Sequence, residues 1–307
     1  MYSPLKIVIF GAGQLGEYIH ANCSYTTTLL SHKELDICNK DMVKDIISKY
    51  DIIINCAAYT NVDKAETDVD TCMAINGDAL EYIAYECYKQ HRKLIHISTD
   101  FVYGNISYKY LDEPLYENEI LNPINTYGYS KLIGEKNILK WMTNNFLILR
   151  VSWLFGDKIN FVDKIVKNVI NPPGRLVVVD DQVGRPTSTK LVTNVILEYL
   201  NGKLPDGIYN LQNSGKLISK YEFAKYIRNY LKRSVKIYPI KTDNSGNKFA
   251  KRQFNSNLSC KKIDEYCKAI RSDWKEDVNL YLNKLIIKYN IQRESLLTKL
   301  KNLLGVK

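Results

Sequence analysis

Lys6-Ile-Val-Ile-Phe10, followed at once by Gly11-Ala-Gly13-Gln14-Leu15-Gly16, decides how this 307-residue chain folds. The apolar run reads as a buried strand, the glycines as a turn, and Glu17 to Asn22 as the helix that the turn opens. Strand, glycine turn and helix stand in the order of a dinucleotide-binding fingerprint. Gly11 permits the tight turn, Gly13 lets backbone approach a pyrophosphate, and Gly16 lets the helix lie close to the strand. Gln14 and Leu15 sit where the helix N-terminus offers free N–H groups and the positive end of its dipole. The plainer alternative is a strand-to-helix turn that merely needs glycines; the elements downstream argue against it.

Outward from this unit the same rhythm continues. Thr26 to Leu30 reads as a second strand, Met42 to Lys49 as a short helix, and Asp51 to Asn55 as a compact strand. Thr71 to Gln90 reads as a long helix, Lys93 to Ser98 as the next strand, Tyr127 to Asn144 as a helix and Phe146 to Val151 as a strand. Residues 104–125 hold Gly, Asn, Pro and acidic residues and read as an irregular loop. The alternation predicts an α/β fold with a doubly wound parallel sheet. Ligands of such sheets sit beyond the carboxyl ends of the strands, where Gly11, Asn55, Ser98 to Asp100 and Ser152 to Trp153 all fall. Past residue 155 the pattern loosens. Residues 171–174 and 180–186 are turn-rich, while Thr189 to Leu200 and Tyr221 to Leu231 read as helices. No linker intervenes. Residues 1–155 are therefore expected to form a dinucleotide-binding domain, and 156–307 a mainly substrate-binding region with segments returning to the first. The tail from Ile291 to Leu304 is amphipathic, a surface helix or a homodimer contact.

With 45% hydrophobic and 25% charged residues, the composition is that of a soluble globular protein. No run approaches the length of a membrane span, and the first strand starts too early to leave room for a signal peptide. Seven cysteines without metal spacing read as free thiols in a reducing compartment, the cytoplasm, with no bound metal. Residues 1–150 carry 14 basic and 19 acidic side chains, and residues 151–307 carry 29 and 14. The basic half reads either as an attractor of a polyanionic substrate or as solvated surface in a chain rich in Lys, Asn, Ile and Tyr. No signature of nucleic-acid binding accompanies it.

Thr126-Tyr127-Gly-Tyr-Ser-Lys131, read with Ser98-Thr99-Asp100, carries the chemistry. Tyr127 and Lys131 are four apart and share one helical face. An ammonium near the phenol is expected to lower its pKa, and a hydroxyl such as Thr99 can share a substrate carbonyl oxygen. Alone, Tyr-x-x-x-Lys is a weak signal in a chain with 23 tyrosines; its setting gives it weight.

At this point the chain resembles the dTDP-4-dehydrorhamnose reductases, a branch of the extended short-chain dehydrogenase/reductases with a Rossmann sheet. The matching blocks are Gly11 to Gly16, Asn55-Cys-Ala-Ala-Tyr-Thr-Asn-Val-Asp-Lys-Ala-Glu66, Ala74-Ile-Asn76, Ser98-Thr-Asp-Phe-Val-Tyr103, Tyr127 to Glu135, Arg150-Val-Ser-Trp153, Asp181-Gln-Val-Gly-Arg-Pro-Thr187 and Gly207-Ile-Tyr-Asn210. The resemblance implies NADPH-dependent reduction of the C4 ketone of a 6-deoxy-4-keto sugar carried on dTDP or UDP. It makes Tyr127 the proton donor, with Thr99 steadying the forming alkoxide and Lys131 holding the nicotinamide ribose. Ala57, Ala58, Tyr59 and Asn76 would support the cofactor; Thr60, Val62, Phe101 and Trp153 would contact the sugar; Arg185 would meet the diphosphate or cap a loop.

Cofactor choice is read from the end of the second strand, where an acidic residue marks NAD specificity. Here Leu30 is followed by Ser31-His-Lys33, so Ser31 and Lys33 are expected to bind a 2′-phosphate, with NADH as a second donor. Phe101 stands where a tyrosine is common, and Gln253 where a proline is expected. Two rival readings remain. One is a combined 3,5-epimerase and 4-reductase on a UDP-linked sugar, drawing on Cys56, Cys72 or Lys64. The other is a non-catalytic nucleotide-binding regulatory subunit.

Overall fold

The apolar runs become a sheet buried on both sides. The structure is a computed structural model and describes residues 5–104, 113–244 and 249–291. Its first part runs β1 (Ile7–Phe10), α1 (Gln14–Asn22), β2 (Thr27–Leu30), α2 (Lys40–Ser48), β3 (Ile52–Asn55), α3 (Val69–Met73), α4 (Ala79–Lys89), β4 (Lys93–Thr99), α5 (Thr126–Trp141) and β5 (Phe146–Val151). Then follow β6 (Leu154–Phe155), α6 (Phe161–Ile170), β7 (Leu176–Val179), β8 (Val183–Gly184), β9 (Thr187–Ser188), α7 (Thr189–Leu200), β10 (Gly207–Leu211), β11 (Ile218–Ser219), α8 (Lys220–Tyr230), β12 (Ile237–Ile240), β13 (Asn255–Ser256), α9 (Lys261–Cys267) and α10 (Trp274–Lys288).

The main sheet has the order β10-β5-β4-β3-β1-β2, parallel throughout. Alternate side chains go to opposite faces. Ile7, Ile9, Ile52, Ile54, Leu147 and Leu149 meet α1, α7 and α9 on one face. Val8, Phe10, Ile53, Leu94 and Ile148 meet α2, α4 and α5 on the other. Burial on both sides is why these strands are continuous apolar runs rather than alternating ones. The chain leaves β1 toward β2 and returns across it to β3, so the order reverses between β1 and β3. That reversal opens a crevice at the carboxyl ends of the strands.

A further cluster is built wholly from residues beyond 154: Phe155, Val166, Phe223, Ile227, Trp274 and Leu282 pack α6, α8 and α10 together. Several elements were not expected from the sequence: α6, α9, α10, the two-residue strands, and β10 as the sixth strand of the main sheet. The long helix is present as α3 and α4, joined by a wide π-turn at Ala74–Asp78. The amphipathic tail, from residue 292 on, lies outside the described residues, as do 105–112 of the irregular loop. No helix among the described residues is long and apolar enough to cross a membrane. All seven cysteines are free.

One buried ion pair ties the sheet to α5. Arg150 Nη2 on β5 lies 2.7 Å from Glu135 Oε2 on α5, and both side chains are 2% exposed. Arg150 Nε donates to Glu135 Oε1 at 3.0 Å, and the Ser98 hydroxyl on β4 donates to the same oxygen. Arg150 Nη1 donates to the Tyr103 hydroxyl at 2.9 Å, which donates to Asn210 Oδ1 on β10 at 2.7 Å. Removing one member strands a charge in the core. Glu135→Ala is therefore expected to cost about 3–5 kcal/mol in chemical denaturation. Replacing both residues with apolar side chains of like volume is expected to cost much less.

Candidate active site

The crevice holds a cavity of about 940 Å³. It is lined where the strands end: Gly11 after β1, Ser31 after β2, Cys56 after β3, Thr99 on β4 and Val151 on β5. Gly11 has φ +95°, and a Cβ there would stand 2.6 Å from Ala57 N. A Cβ on Gly16 would stand 2.1 Å from the Gly11 carbonyl oxygen, so α1 seats directly on the turn. Nothing lies within 4 Å of where a Gly13 Cβ would be. Gly13 is also the N-cap of α1 and brings no capping side chain, which leaves the helix N–H groups free. With Gln14 and Leu15 on the same wall, this corner is an anion cradle that fits a dinucleotide pyrophosphate.

Facing it is the start of α5. Asn125 caps the helix by accepting from Gly128 N at 2.8 Å, and Thr126 N donates to Glu66 Oε1 at 2.8 Å. Tyr127 and Lys131 then lie one turn apart, both on the cavity wall with Thr99 and Phe101. The Phe101 ring meets the Tyr127 ring edge-on, centroids 5.5 Å apart. Burial pushes the Tyr127 phenol well above its ordinary range, and the Thr99 hydroxyl pulls it back only in part. The expected lowering of Tyr127 by Lys131 is not what this arrangement gives. Lys131 Nζ turns instead to the Ile97 carbonyl at 2.7 Å and His96 Nε2 at 3.0 Å. Burial lowers Lys131 to about 8, against Glu135, which raises it. His96 is fully buried, and burial and then Lys131 hold it far below the usual imidazole range, so it is neutral.

Trp153, Thr60 and Val62, expected at the sugar, line the same cavity. Trp153 has φ +46°, a left-handed conformation that costs a non-glycine residue about 1–3 kcal/mol. The same ring packs at the margin of the Phe223–Trp274 cluster. Ala57 and Ala58 line the cavity as well.

Five expected residues stand back from the wall. Gly16 acts through helix packing, as above. Asn76, 1% exposed, binds the Tyr59 backbone through both amide atoms at 2.9 and 3.0 Å and donates to Ser130 Oγ at 3.0 Å. It thereby fixes the loop that carries Ala57 to Thr60. The Tyr59 hydroxyl turns away to Asp68 at 3.0 Å. Lys33 is exposed and off the wall, because the turn after β2 folds back: Glu34 Oε2 accepts from Ser31 N at 2.8 Å and Ser31 Oγ at 2.7 Å. His32 takes the place at the cavity that Lys33 was expected to hold. Arg185 is the clearest correction. Its Nε donates to the Gly215 carbonyl and its Nη1 to Gln212 Oε1 and Asn257 Oδ1, each at 2.8 Å. It clamps three loops and does not reach the cavity.

Among the lining residues that escaped sequence reasoning are Lys158, Asn160, Lys220 and Arg252. Lys158 Nζ donates to the Ala12 carbonyl at 2.7 Å and to Glu17 at 2.6 Å, closing the residue 155–162 segment over the glycine corner. A signal existed for Lys220. Ser219-Lys-Tyr-Glu222 is a capping box, which marks a helix start.

Comparison with known proteins agrees with this geometry. The profile of the RmlD substrate binding domain family matches residues 5–287. The spore coat polysaccharide biosynthesis protein SpsK of Bacillus subtilis is 33% identical over 287 residues, 91% of this chain and 97% of that protein. A dTDP-4-dehydrorhamnose reductase of Clostridium acetobutylicum superposes with TM-score 0.84 at 32% identity, covering 92% of this chain and 99% of that one. A dTDP-4-dehydrorhamnose reductase of Bacillus anthracis, solved in complex with NADP, superposes with TM-score 0.82 at 29% identity, covering 92% and 99%.

The clamp assigned to Arg185 has a measurable consequence. Arg185→Ala should lower stability by about 1.5–3 kcal/mol, the scale of hydrogen bonds to a charged group, and leave substrate KM unchanged. Paired denaturation and steady-state measurements check both halves; a raised KM with unchanged stability would return Arg185 to the substrate.

Proposed function

The chain belongs to the RmlD substrate binding domain family, and from that premise we propose that it reduces the C4 ketone of a nucleotide-linked 6-deoxy-4-keto sugar with NADPH as donor. The observation that carries this reading is that Thr99, Tyr127 and Lys131 line the same cavity as the free N-terminus of α1. The dTDP-linked sugar is preferred to the UDP-linked one because the reductases of Clostridium acetobutylicum and Bacillus anthracis are named for it. NADPH is read from the latter's bound NADP.

A dinucleotide held by its pyrophosphate at the glycine corner would supply the hydride from its reduced nicotinamide. Tyr127 gives its phenolic proton to the C4 oxygen as negative charge develops there. Burial keeps the phenol protonated at neutral pH, so the donor is loaded before reaction. The Thr99 hydroxyl donates a second hydrogen bond to the same oxygen. Lys131 offers an ammonium to the dinucleotide ribose, positioned by the Ile97 carbonyl and neutral His96. Phe101 and Trp153 present apolar faces to the deoxy sugar.

Plain reduction is favoured over a combined epimerase. Lys64 is exposed and 3.5 Å from Asp68, and Cys72 is buried against Ser130. Cys56 lines the cavity, but burial pushes its thiol up to about 12.

The test is NADPH oxidation with dTDP- and UDP-linked 4-keto-6-deoxy sugars, followed by identification of the product. Tyr127→Phe should lower turnover by roughly 10²-fold or more while dinucleotide affinity holds. Near-normal turnover in that variant would refute the assignment. A separate expectation concerns pH. The Lys131 ammonium is present below about 8 and lost as pH rises through that value. NADPH affinity, measured without substrate, should weaken across the same interval, and Lys131→Met should be weak and insensitive to pH there.

A further inference from the structure

Four basic side chains of the lysine and arginine type line the cavity: Lys131, Lys158, Lys220 and Arg252. Three are already engaged. Lys131 and Lys158 hold the contacts described above, and Arg252 is bound to Asp63 at 2.8 Å and to the Ala250 carbonyl at 2.7 Å. Lys220 differs. Its ammonium has no hydrogen-bond acceptor and no ion pair among the described residues. It rests instead between two aromatic rings, 4.8 Å from the Trp153 centroid and 5.1 Å from that of Phe161.

The arrangement is expensive. Lys220 is the first residue of α8, where the helix dipole disfavours a cation. Burial lowers its pKa to about 8, and Asp100 is the main group opposing that loss of charge. Asp100 is not free to pair with it: Oδ1 meets the Thr99 hydroxyl at 3.1 Å and Oδ2 accepts from Gln253 Nε2 at 2.7 Å. Neither does the backbone wander, since the capping box between Ser219 and Glu222 pins the start of α8 at 2.9 and 3.1 Å. A cation held in place, partly desolvated and left without a protein acceptor, in a cavity wall, is a donor waiting for a ligand oxygen.

We propose that Lys220 is a substrate-recognition residue, whose ammonium donates to a negatively polarised oxygen of the nucleotide sugar. The inference rests on the proposed function for the identity of the ligand. The oxygen belongs either to the diphosphate or to the sugar, and both present the same acceptor chemistry. Trp153 and Phe161 flank the donor and shield it in part, and a charge-assisted bond in a partly desolvated place is stronger than at the surface.

Lys220→Met keeps the length and the apolar contact with the rings and removes only the charge. Wild type, Lys220→Met and Lys220→Arg are compared by calorimetric binding of dTDP, of a dTDP-linked sugar and of NADPH, alongside melting temperature. We expect Lys220→Met to bind the dTDP-linked sugar roughly ten- to a hundredfold more weakly, with NADPH affinity and melting temperature preserved. Lys220→Arg should recover part of the loss. An equal loss for dTDP alone assigns the contact to the diphosphate; a loss confined to the sugar nucleotide assigns it to the sugar. Unchanged affinity for both ligands overturns the proposal, as does a loss of NADPH affinity and stability together, which would make Lys220 a packing residue. Because these are binding measurements, they stand even where no 4-keto sugar is reduced. A failure of the proposed reaction is therefore distinguishable from a failure of this inference.

Discussion

The Glu135–Arg150 pair is the constraint on which the site geometry depends. α5 carries Tyr127 and Lys131 near its start, which Asn125 caps and Glu66 holds, and a second anchor further along fixes the direction of the helix. Glu135 supplies that anchor one turn beyond Lys131, bonding at once to Ser98 on β4 and Arg150 on β5. Taking both charges out of water costs several kcal/mol per ion. The pair repays that through saturation: Arg150 reaches Glu135, Tyr103 and the Glu117 carbonyl. Glu135 also acts on Lys131, opposing the loss of its proton on burial. One carboxylate thus fixes where the helix lies and helps keep a buried ammonium charged.

Backbone contact does the rest of the positioning, and it needs glycine. A Cβ on Gly128 would stand 2.6 Å from the Phe101 carbonyl oxygen, and one on Gly134 2.2 Å from that of Asn76. The first contact brings Tyr127 beside the Thr99–Phe101 segment. The second seats α5 on the π-turn between α3 and α4. π-turns interrupt helices most often at functional sites, and this one presents Asn76 to the Tyr59 backbone. Trp153 is the opposite device. A bulky residue accepts a left-handed conformation so that its ring faces the cavity instead of continuing β5, and the surrounding cluster bears that strain.

The first five strands were legible because each is a short apolar run closed by a polar or glycine residue at its carboxyl end. The pairing of Tyr127 with Lys131 at the cavity was legible for a related reason: the two are separated by one helical turn, and that spacing survives folding unchanged. β10 was not. Its five residues pair with β5 some sixty positions earlier, and no local periodicity announces such a partner. The two-residue strands β6, β8, β9, β11 and β13 fall below any repeat length. α6 carried an Asn160 cap and an apolar stripe at Val162, Ile165, Val166 and Val169, so its omission was a failure of reading and not of signal. Two roles stayed open for Arg185, diphosphate contact and loop cap, because a loop arginine's spacing says nothing about whose carbonyls it will face. Lys33 was misread because it lies within a turn closed from Ser31 to Glu34, which leaves its side chain exposed and off the cavity.

The charge of the second half can now be weighed against geometry. Of its 29 basic residues, three line the cavity: Lys158, Lys220 and Arg252. Others lie in pairs at the periphery, such as Lys203 with Glu198, Lys241 with Asp180 and Lys284 with Asp157. Exposed charges further than about 8 Å from a ligand are largely screened at physiological ionic strength. The excess therefore raises the general potential of this face without selecting a substrate. Selection requires charge that is desolvated and aimed, and two of the three cavity cations are spent on Ala12, Glu17 and Asp63. The aromatic cradle around Lys220 provides what the surplus of surface lysines does not: a fixed donor in a medium poor in water, where one hydrogen bond can distinguish a bound oxygen from an empty wall.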